Sequence, residues 1–301
     1  MKNQLDQCVN FITKLVEKGG PDPNEYDLLN HWVGEVSKKL KLGVFTTEDL
    51  KHIRNCFGDV LSIETLLGHT LIKPYGYAGD YELIDKIYQK YITPNLHFKK
   101  WDLFYQAHKA TNAVRKRKTF FKNFVRNLCT NGNSNKLEVL NIGSGPGRDV
   151  FEFLNEDGTS NVLFECVDMD ENAISYAKNL CKEHSDKIIF QHENIFKYSS
   201  NKKYHLIWSA GLFDYLDDES FKFLLKKSLN LLQDKGEIVI GNASKDKATM
   251  DICHVIVDWI LHHRNKDDLI RLASECGIQN KNIKITQEPE EIFYFLHIKL
   301  Y

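Results

Sequence analysis

From Leu137 onward, short apolar runs alternate with helical stripes, and this alternation constrains the fold more than any other feature of the chain. The runs Glu138–Ile142, Val162–Val167, Ile188–His192, His205–Ser209 and Glu237–Asn242 read as strands. Amphipathic stretches separate them, the clearest being Phe221, Leu224, Leu225, Leu229 and Leu232 at helical spacing. A strand–helix–strand order implies a parallel sheet with helices on its faces. The end breaks the pattern. Asn282–Thr286 and Ile292–Leu300 are two further runs, joined by Gln287-Glu-Pro-Glu-Glu291. So short a link cannot make a parallel crossover, so this pair is predicted to be an antiparallel hairpin.

The first 130 residues show a different period. Leu5, Val9, Ile12 and Val16 recur on one helical face, and Gly19-Gly-Pro21 stops that helix. Further helices are expected over Tyr26–Leu42, Thr47–Leu67, Tyr81–Tyr91 and Trp101–Leu128, with Gly68–Gly79 as a loop. The polar stretch Thr130–Asn135 separates an all-helical domain, residues 1–130, from an α/β domain, residues 131–301.

Composition excludes several classes. The formal net charge is −1, so no global charge draws nucleic acid or an acidic membrane. Seven cysteines stand without a CxxC pair or zinc spacing, which fits reduced thiols and no metal site. The polar N-terminus and the lack of any long apolar run point to a soluble, cytoplasmic protein without membrane insertion.

The first strand runs into Gly143-Ser-Gly-Pro-Gly147, a turn that brings backbone close to a ligand. Its spacing is G-x-G-x-G, one residue short of the dinucleotide fingerprint. The second strand ends in Asp168, whose carboxylate is placed to accept from the two hydroxyls of a ribose. Nicotinamide dinucleotides and S-adenosylmethionine (SAM) both satisfy that arrangement, and a purely structural turn remains a third reading. A parallel sheet closed by an antiparallel last strand resembles the class I SAM-dependent methyltransferases. The resemblance implies a Rossmann-like seven-stranded sheet and SAM as cofactor. It implies cofactor contacts from Asn141, Gly143, Ser144 and Gly145 at the first strand, and Asp168 and Met169 at the second. Asn194 and Ile195 at the third strand and Ala210, Gly211 and Phe213 at the fourth complete that set. Asn141 stands where the family usually has an acid.

Four stretches resemble a narrower group, the bacterial proteins described as making a 3-hydroxy-fatty-acid (3-hydroxypalmitate) methyl ester. They are Lys73-Pro-Tyr-Gly-Tyr-Ala-Gly-Asp-Tyr-Glu82, Ala113-Val-Arg-Lys-Arg117, Ala210-Gly-Leu-Phe-Asp-Tyr-Leu216 and Asp258-Trp-Ile-Leu-His-His-Arg264. The stretch from Gly241 to Lys247 lacks the prolines expected in that group.

Methyl transfer requires alignment of nucleophile and methyl carbon with water excluded, and a base only when the nucleophile carries a proton. On that ground Tyr77, His69, Asp214 and Tyr215 are candidate catalytic residues. Tyr75 and Arg115 join the cofactor set. Tyr77, Arg117, Tyr215, Asn242 and Arg264 are candidate acceptor contacts. Arg115 and Arg117 cannot share a helix face, so one of them turns toward the carboxylate of SAM or of the acceptor. Asp214 is placed to hold a protonated acceptor amine or to orient the SAM ammonium, and Asp80 to cap the helix that follows it. The expected activity is methylation of a small carboxylate-bearing molecule, on oxygen or on an amino nitrogen. The rivals are a non-catalytic SAM-binding regulator and an NAD-dependent oxidoreductase. The expected partner is a small-molecule acceptor and not nucleic acid, with self-association left open.

Overall fold

The computed structural model describes residues 2–131, 136–157, 161–245 and 251–300. The expected linker lies mostly outside these residues. Two compact units emerge. The first runs to Asn112 and takes in the stretch ending at Ile260; the second starts at Ala113 and resumes at Leu261.

The first unit is helical: α1 Lys2–Glu17, α2 Tyr26–Lys41, α3 Thr47–Asn55, α4 Leu66–Ile72, α5 Tyr81–Tyr88 and α6 Lys99–Ala107. α7, Lys109–Asn131, starts here and continues into the second unit. Its core packs Trp32, Phe57 and Trp101 with tilted rings, centroids 6.3 and 5.7 Å apart. The segment Thr47–Leu67 is not one helix. After α3 the chain turns at Gly58, whose φ of +52° favours glycine, and passes through a 3-10 turn at Gly58–Leu61. Thr65 then caps α4, its hydroxyl accepting from Gly68 N–H at 2.9 Å. Gly68 lies inside α4 rather than in a loop, and a Cβ there would fall 1.8 Å from the Ser62 carbonyl oxygen, so only glycine fits.

Trp101–Leu128 also divides. His108 is extended (φ −63°, ψ 140°) and its Nδ1 accepts from Ala110 N–H, so an imidazole caps α7. The final stretch of the first unit is tied down by side chains that periodicity does not reveal. Ser37 donates to Asp251, Arg54 to the Val255 and His254 carbonyls, and Lys73 to Asp258. The helix α11, Asp251–Val255, therefore belongs with α2 and α3 although it follows the fifth strand.

The second unit carries a seven-stranded sheet. Its strands are β1 Leu137–Ile142, β2 Val162–Asp168, β3 Ile188–His192, β4 Tyr204–Ser209, β5 Leu232–Ala243, β6 Ile283–Gln287 and β7 Phe293–Lys299. The order is β3-β2-β1-β4-β5-β7-β6, parallel except for β7, which runs antiparallel to both neighbours. Helices α8 Arg148–Glu156, α9 Glu171–Leu180, α10 Asp218–Leu231 and α12 Lys266–Glu275 complete it.

Alternation along each strand builds two cores, as the period of two requires. Leu140, Ile142, Ile207, Ile238 and Leu296 pack with α10 and α12. Val139, Trp208, Val239 and Phe295 pack with Phe121 and Val125 of α7 and Val150 of α8. This second core explains why the unit begins near Ala113 rather than after residue 130: the later turns of α7 are covered by the sheet. Burial of Phe121 and Val125 contributes roughly 3–6 kcal/mol to that attachment.

Candidate functional site

The strand order reverses between β1 and β4, and ligands of open α/β sheets bind outside the carboxyl ends at such a point. The turn after β1 holds Gly143, Gly145 and Gly147 at φ +65°, +53° and +67°. Their surroundings differ. A Cβ on Gly143 would press on Leu212 at 3.1 Å, and one on Gly147 on Ala177 at 3.1 Å. A Cβ on Gly145 would meet open space. The first and third glycines therefore serve packing, and the middle one faces the crevice.

Asp168 closes β2. Its Oδ2 accepts from Gly145 N–H at 2.8 Å and its Oδ1 from Asp170 N–H at 3.0 Å. Burial raises its pKa, and these backbone donors oppose the rise. The carboxylate thus links the glycine turn to β2 and retains lone pairs for a ribose. Beside it Met169 is exposed. At the end of β3, Asn194 Oδ1 accepts from Phe196 N–H, while the Ile195 side chain is buried in the core and offers the crevice only backbone. Phe213 is likewise a core residue, edge-on to Phe221 at 4.8 Å.

Two buried polar atoms at the β1 edge have no hydrogen-bond partner among the described residues: Asn141 Nδ2 and Ser144 Oγ. Unpaired buried donors are rare because each costs about 1–3 kcal/mol. Beside the crevice-facing Gly145, they fit the carboxylate and amino group of SAM, and Asp168 fits its ribose.

The β4 edge carries the charges. Arg117, on α7, is 7% exposed; its Nη1 donates to the Ala210 carbonyl at 3.0 Å and its guanidinium stacks on Phe293 at 4.9 Å. A Cβ on Gly211 would lie 2.6 Å from Nη1, so the glycine admits the guanidinium. Arg115, two residues earlier, is half-buried, and burial lowers its pKa against the pull of Glu290. Asp214 is 2% exposed and accepts from Ala243 N–H at 2.5 Å. Burial pushes its carboxyl up to about 6, opposed by that N–H and by Arg117 and Arg264. Tyr215, the next residue, is 37% exposed.

Asn242 and Arg264, expected as acceptor contacts, are committed to the fold. Arg264 directs all its N–H groups at protein: Nε to Asp218, Nη1 to the Phe213 carbonyl and Asn242 Oδ1, Nη2 to the Leu216 carbonyl and Asp218. Asn242 Nδ2 donates to the Ala243 and His262 carbonyls. Neither has a polar group left for a ligand, and together they hold the 213–216 turn against the end of β5.

In the first unit His69 is 1% exposed, with Nε2 2.9 Å from Asp80 Oδ2. Asp80 also caps α5 by accepting from Leu83 N–H. Tyr75 donates to Glu82 at 3.0 Å and packs on Tyr81, whose hydrogen bond, with burial and Glu82, raises the phenol's pKa. Tyr77 is half-buried in the same loop.

Sequence reasoning did not single out Asp149. It lies two residues past Gly147, is 7% exposed, and burial pushes it up to about 6 against the Val150 N–H and the Lys118 and Arg117 charges. An acid in the first turn of the helix after the glycines was the available signal.

Known proteins agree with this geometry. Residues 139–236 match the family model of a methyltransferase domain. The chain is 28% identical over 190 residues to alpha N-terminal protein methyltransferase 1 of Dictyostelium discoideum, covering 61% of this chain and 66% of that protein. It is 22% identical over 166 residues to malonyl-[acyl-carrier protein] O-methyltransferase 1 of Ilyobacter polytropus, covering 55% and 60%. The chain thus spans less than two thirds of either relative. A possible exported protein from Bordetella parapertussis has the same fold over 99% of this chain and 96% of its own, at 16% identity and a TM-score of 0.64. Magnesium protoporphyrin IX methyltransferase from Synechocystis, crystallised with S-adenosylhomocysteine (SAH), shares the fold over 64% of this chain and 87% of its own, at 12% identity and a TM-score of 0.50. Sheet order and glycine turn are those of the class I SAM-dependent methyltransferase fold, and residues 139–236 carry the match to a methyltransferase domain.

Proposed function

We propose that this protein methylates a small, carboxylate-bearing acceptor, on a carboxyl oxygen or on an amino nitrogen. The observation that carries the reading is the β1 edge, where Gly145 opens onto space and Asn141 Nδ2 and Ser144 Oγ lack partners beside Asp168. When bound, SAM supplies a methyl group already activated by a positively charged sulfur. The protein's task is then to hold, orient and desolvate. Asp168 grips the ribose, and Asn141 and Ser144 the amino-acid end. Asp214, buried yet ionisable near neutral pH, is suited to hold or take a proton of an amine acceptor. Within the first unit, Asp80 fixes the His69 ring through Nε2, as an orienting carboxylate does.

The near-neutral charge favours a small acceptor over nucleic acid. Among the described residues no helix is long and apolar enough to cross a membrane. The acceptors named for the two relatives, a protein N-terminus and a malonyl carrier protein, are both amine or carboxyl nucleophiles, the two chemistries proposed here.

The test is incubation with methyl-labelled SAM and a metabolite extract, followed by mass spectrometry. A labelled small acid ester or N-methyl amino acid supports the reading. Release of SAH with label only on protein, or no label at all, overturns it.

A further inference from the structure

We propose that Arg117 and Asp214 together form a subsite for the amino-acid end of the methyl acceptor, the carboxylate on the guanidinium and the amine on the Asp214 carboxylate. The inference rests on the methyltransferase reading and narrows it to an amino-acid-type acceptor methylated on nitrogen.

The geometry converges on one cross-strand pair. Ala243 of β5 lies opposite Phe293 of β7. Asp214 Oδ1 accepts from Ala243 N–H, and the Arg117 guanidinium lies over the Phe293 ring. The two charges are close enough for Arg117 to stabilise the Asp214 carboxylate. Yet among the described residues Arg117 makes no ion pair and its buried Nε has no hydrogen-bond partner, while the Ala243 N–H engages Asp214 through Oδ1 alone. A buried guanidinium without a carboxylate partner is strongly disfavoured unless a ligand anion completes it. A cation and an anion held side by side, each with open hydrogen-bonding capacity, match the two ends of a zwitterion.

The cofactor ends in the same amino-acid chemistry, so the source must be decided. The β1 edge already offers a separate set, Asn141 Nδ2 and Ser144 Oγ, for the cofactor. The β4-edge pair is then free for the acceptor. A carboxylate clamped by Arg117 has its lone pairs engaged and is a poor nucleophile. The nitrogen is therefore the atom methylated, once Asp214 has taken one proton from the ammonium; the freed lone pair would form the carbon–nitrogen bond as the methyl carbon–sulfur bond breaks, with SAH as the leaving group.

Calorimetry on the full-length protein tests this with three probes: SAH, 5′-methylthioadenosine, which lacks the amino-acid end, and each proteinogenic amino acid added to the SAH-loaded protein. Arg117→Gln and Asp214→Asn are compared with the unmodified chain, with circular dichroism and SAH affinity reporting the fold. We expect SAH-loaded protein to bind at least one amino acid, and each variant to weaken that binding about 10- to 100-fold while SAH affinity is unchanged. If the variants lose SAH affinity but keep methylthioadenosine affinity, the pair serves the cofactor and the proposal fails. It fails too if no amino acid binds, or if both variants bind it as the unmodified chain does. A protein that binds no SAH at all would instead overturn the methyltransferase reading.

Discussion

Gly145 and Asp168 meet through one hydrogen bond, and each carries a separate prediction about the cofactor. Burial disfavours the Asp168 charge, so hydroxyl donors from a bound ribose would relieve that penalty. Asp168→Ala is expected to weaken SAH binding by about 1–3 kcal/mol, the range for charge-assisted hydrogen bonds. Unchanged affinity in a titration would remove Asp168 from the ribose. Gly145 sits at φ +53°, so Gly145→Ala costs roughly 1–2 kcal/mol of stability from backbone strain. Its methyl would also enter the crevice. SAH affinity should therefore fall by at least about tenfold, beyond what chemical denaturation accounts for. A variant that is destabilised but binds SAH normally would show that the middle glycine serves only the turn.

At the scale of elements, buried polar groups decide where segments begin and how they are held. His108 separates α6 from α7, and burial, with Lys109 nearby, lowers its pKa to about 4. In the folded state it stays neutral at pH 5, whereas an unfolded histidine, with a pKa near 6.5, is protonated. The unfolded chain then binds more protons, so stability falls as pH drops from about 6.5 to 4, by at most about 3 kcal/mol. Asp149 and Asp214, raised to about 6, act in the opposite sense between about pH 6 and 4. The difference between the unmodified chain and His108→Asn isolates the histidine. Denaturation across that window should show a shallower acid loss in the variant, whose amide can still cap α7. Arg264 is the second case. Arg264→Met would leave Asn242 Oδ1 and the Phe213 and Leu216 carbonyls without their donor. The half-exposed partner Asp218 adds little, so the expected loss of about 2–5 kcal/mol comes from the buried acceptors. An urea midpoint within error of the unmodified protein would contradict it.

For the whole molecule, cofactor binding and stability are linked. SAH at a hundred times its dissociation constant should stabilise the protein by about 2.7 kcal/mol and raise its melting temperature. NAD at the same concentration should not. A rise with NAD alone would restore the oxidoreductase reading.

Much of the second unit was legible in the chain. Each expected strand is present, with ends shifted by a few residues, because a period of two and a five-residue link are local properties. The glycine turn and Asp168 were legible for the same reason. The helical unit was read less well. One helix was expected over Thr47–Leu67 and another over Trp101–Leu128, and the chain breaks them at Gly58 and His108. The compact units also ignore the expected boundary, since α7 is covered by the sheet and the 251–260 stretch is held by Ser37, Arg54 and Lys73.

Local pattern alone therefore determined the strand count, the antiparallel close of the sheet, and the turn and acid at its carboxyl edge. Tertiary structure decided which charges remain for a ligand. Arg117 reaches a carbonyl 93 residues away, Asp214 an amide 29 away, and Arg264 acceptors up to 51 away. Whether a buried cation is satisfied or open depends on partners brought close only by folding, and no spacing along the chain records it.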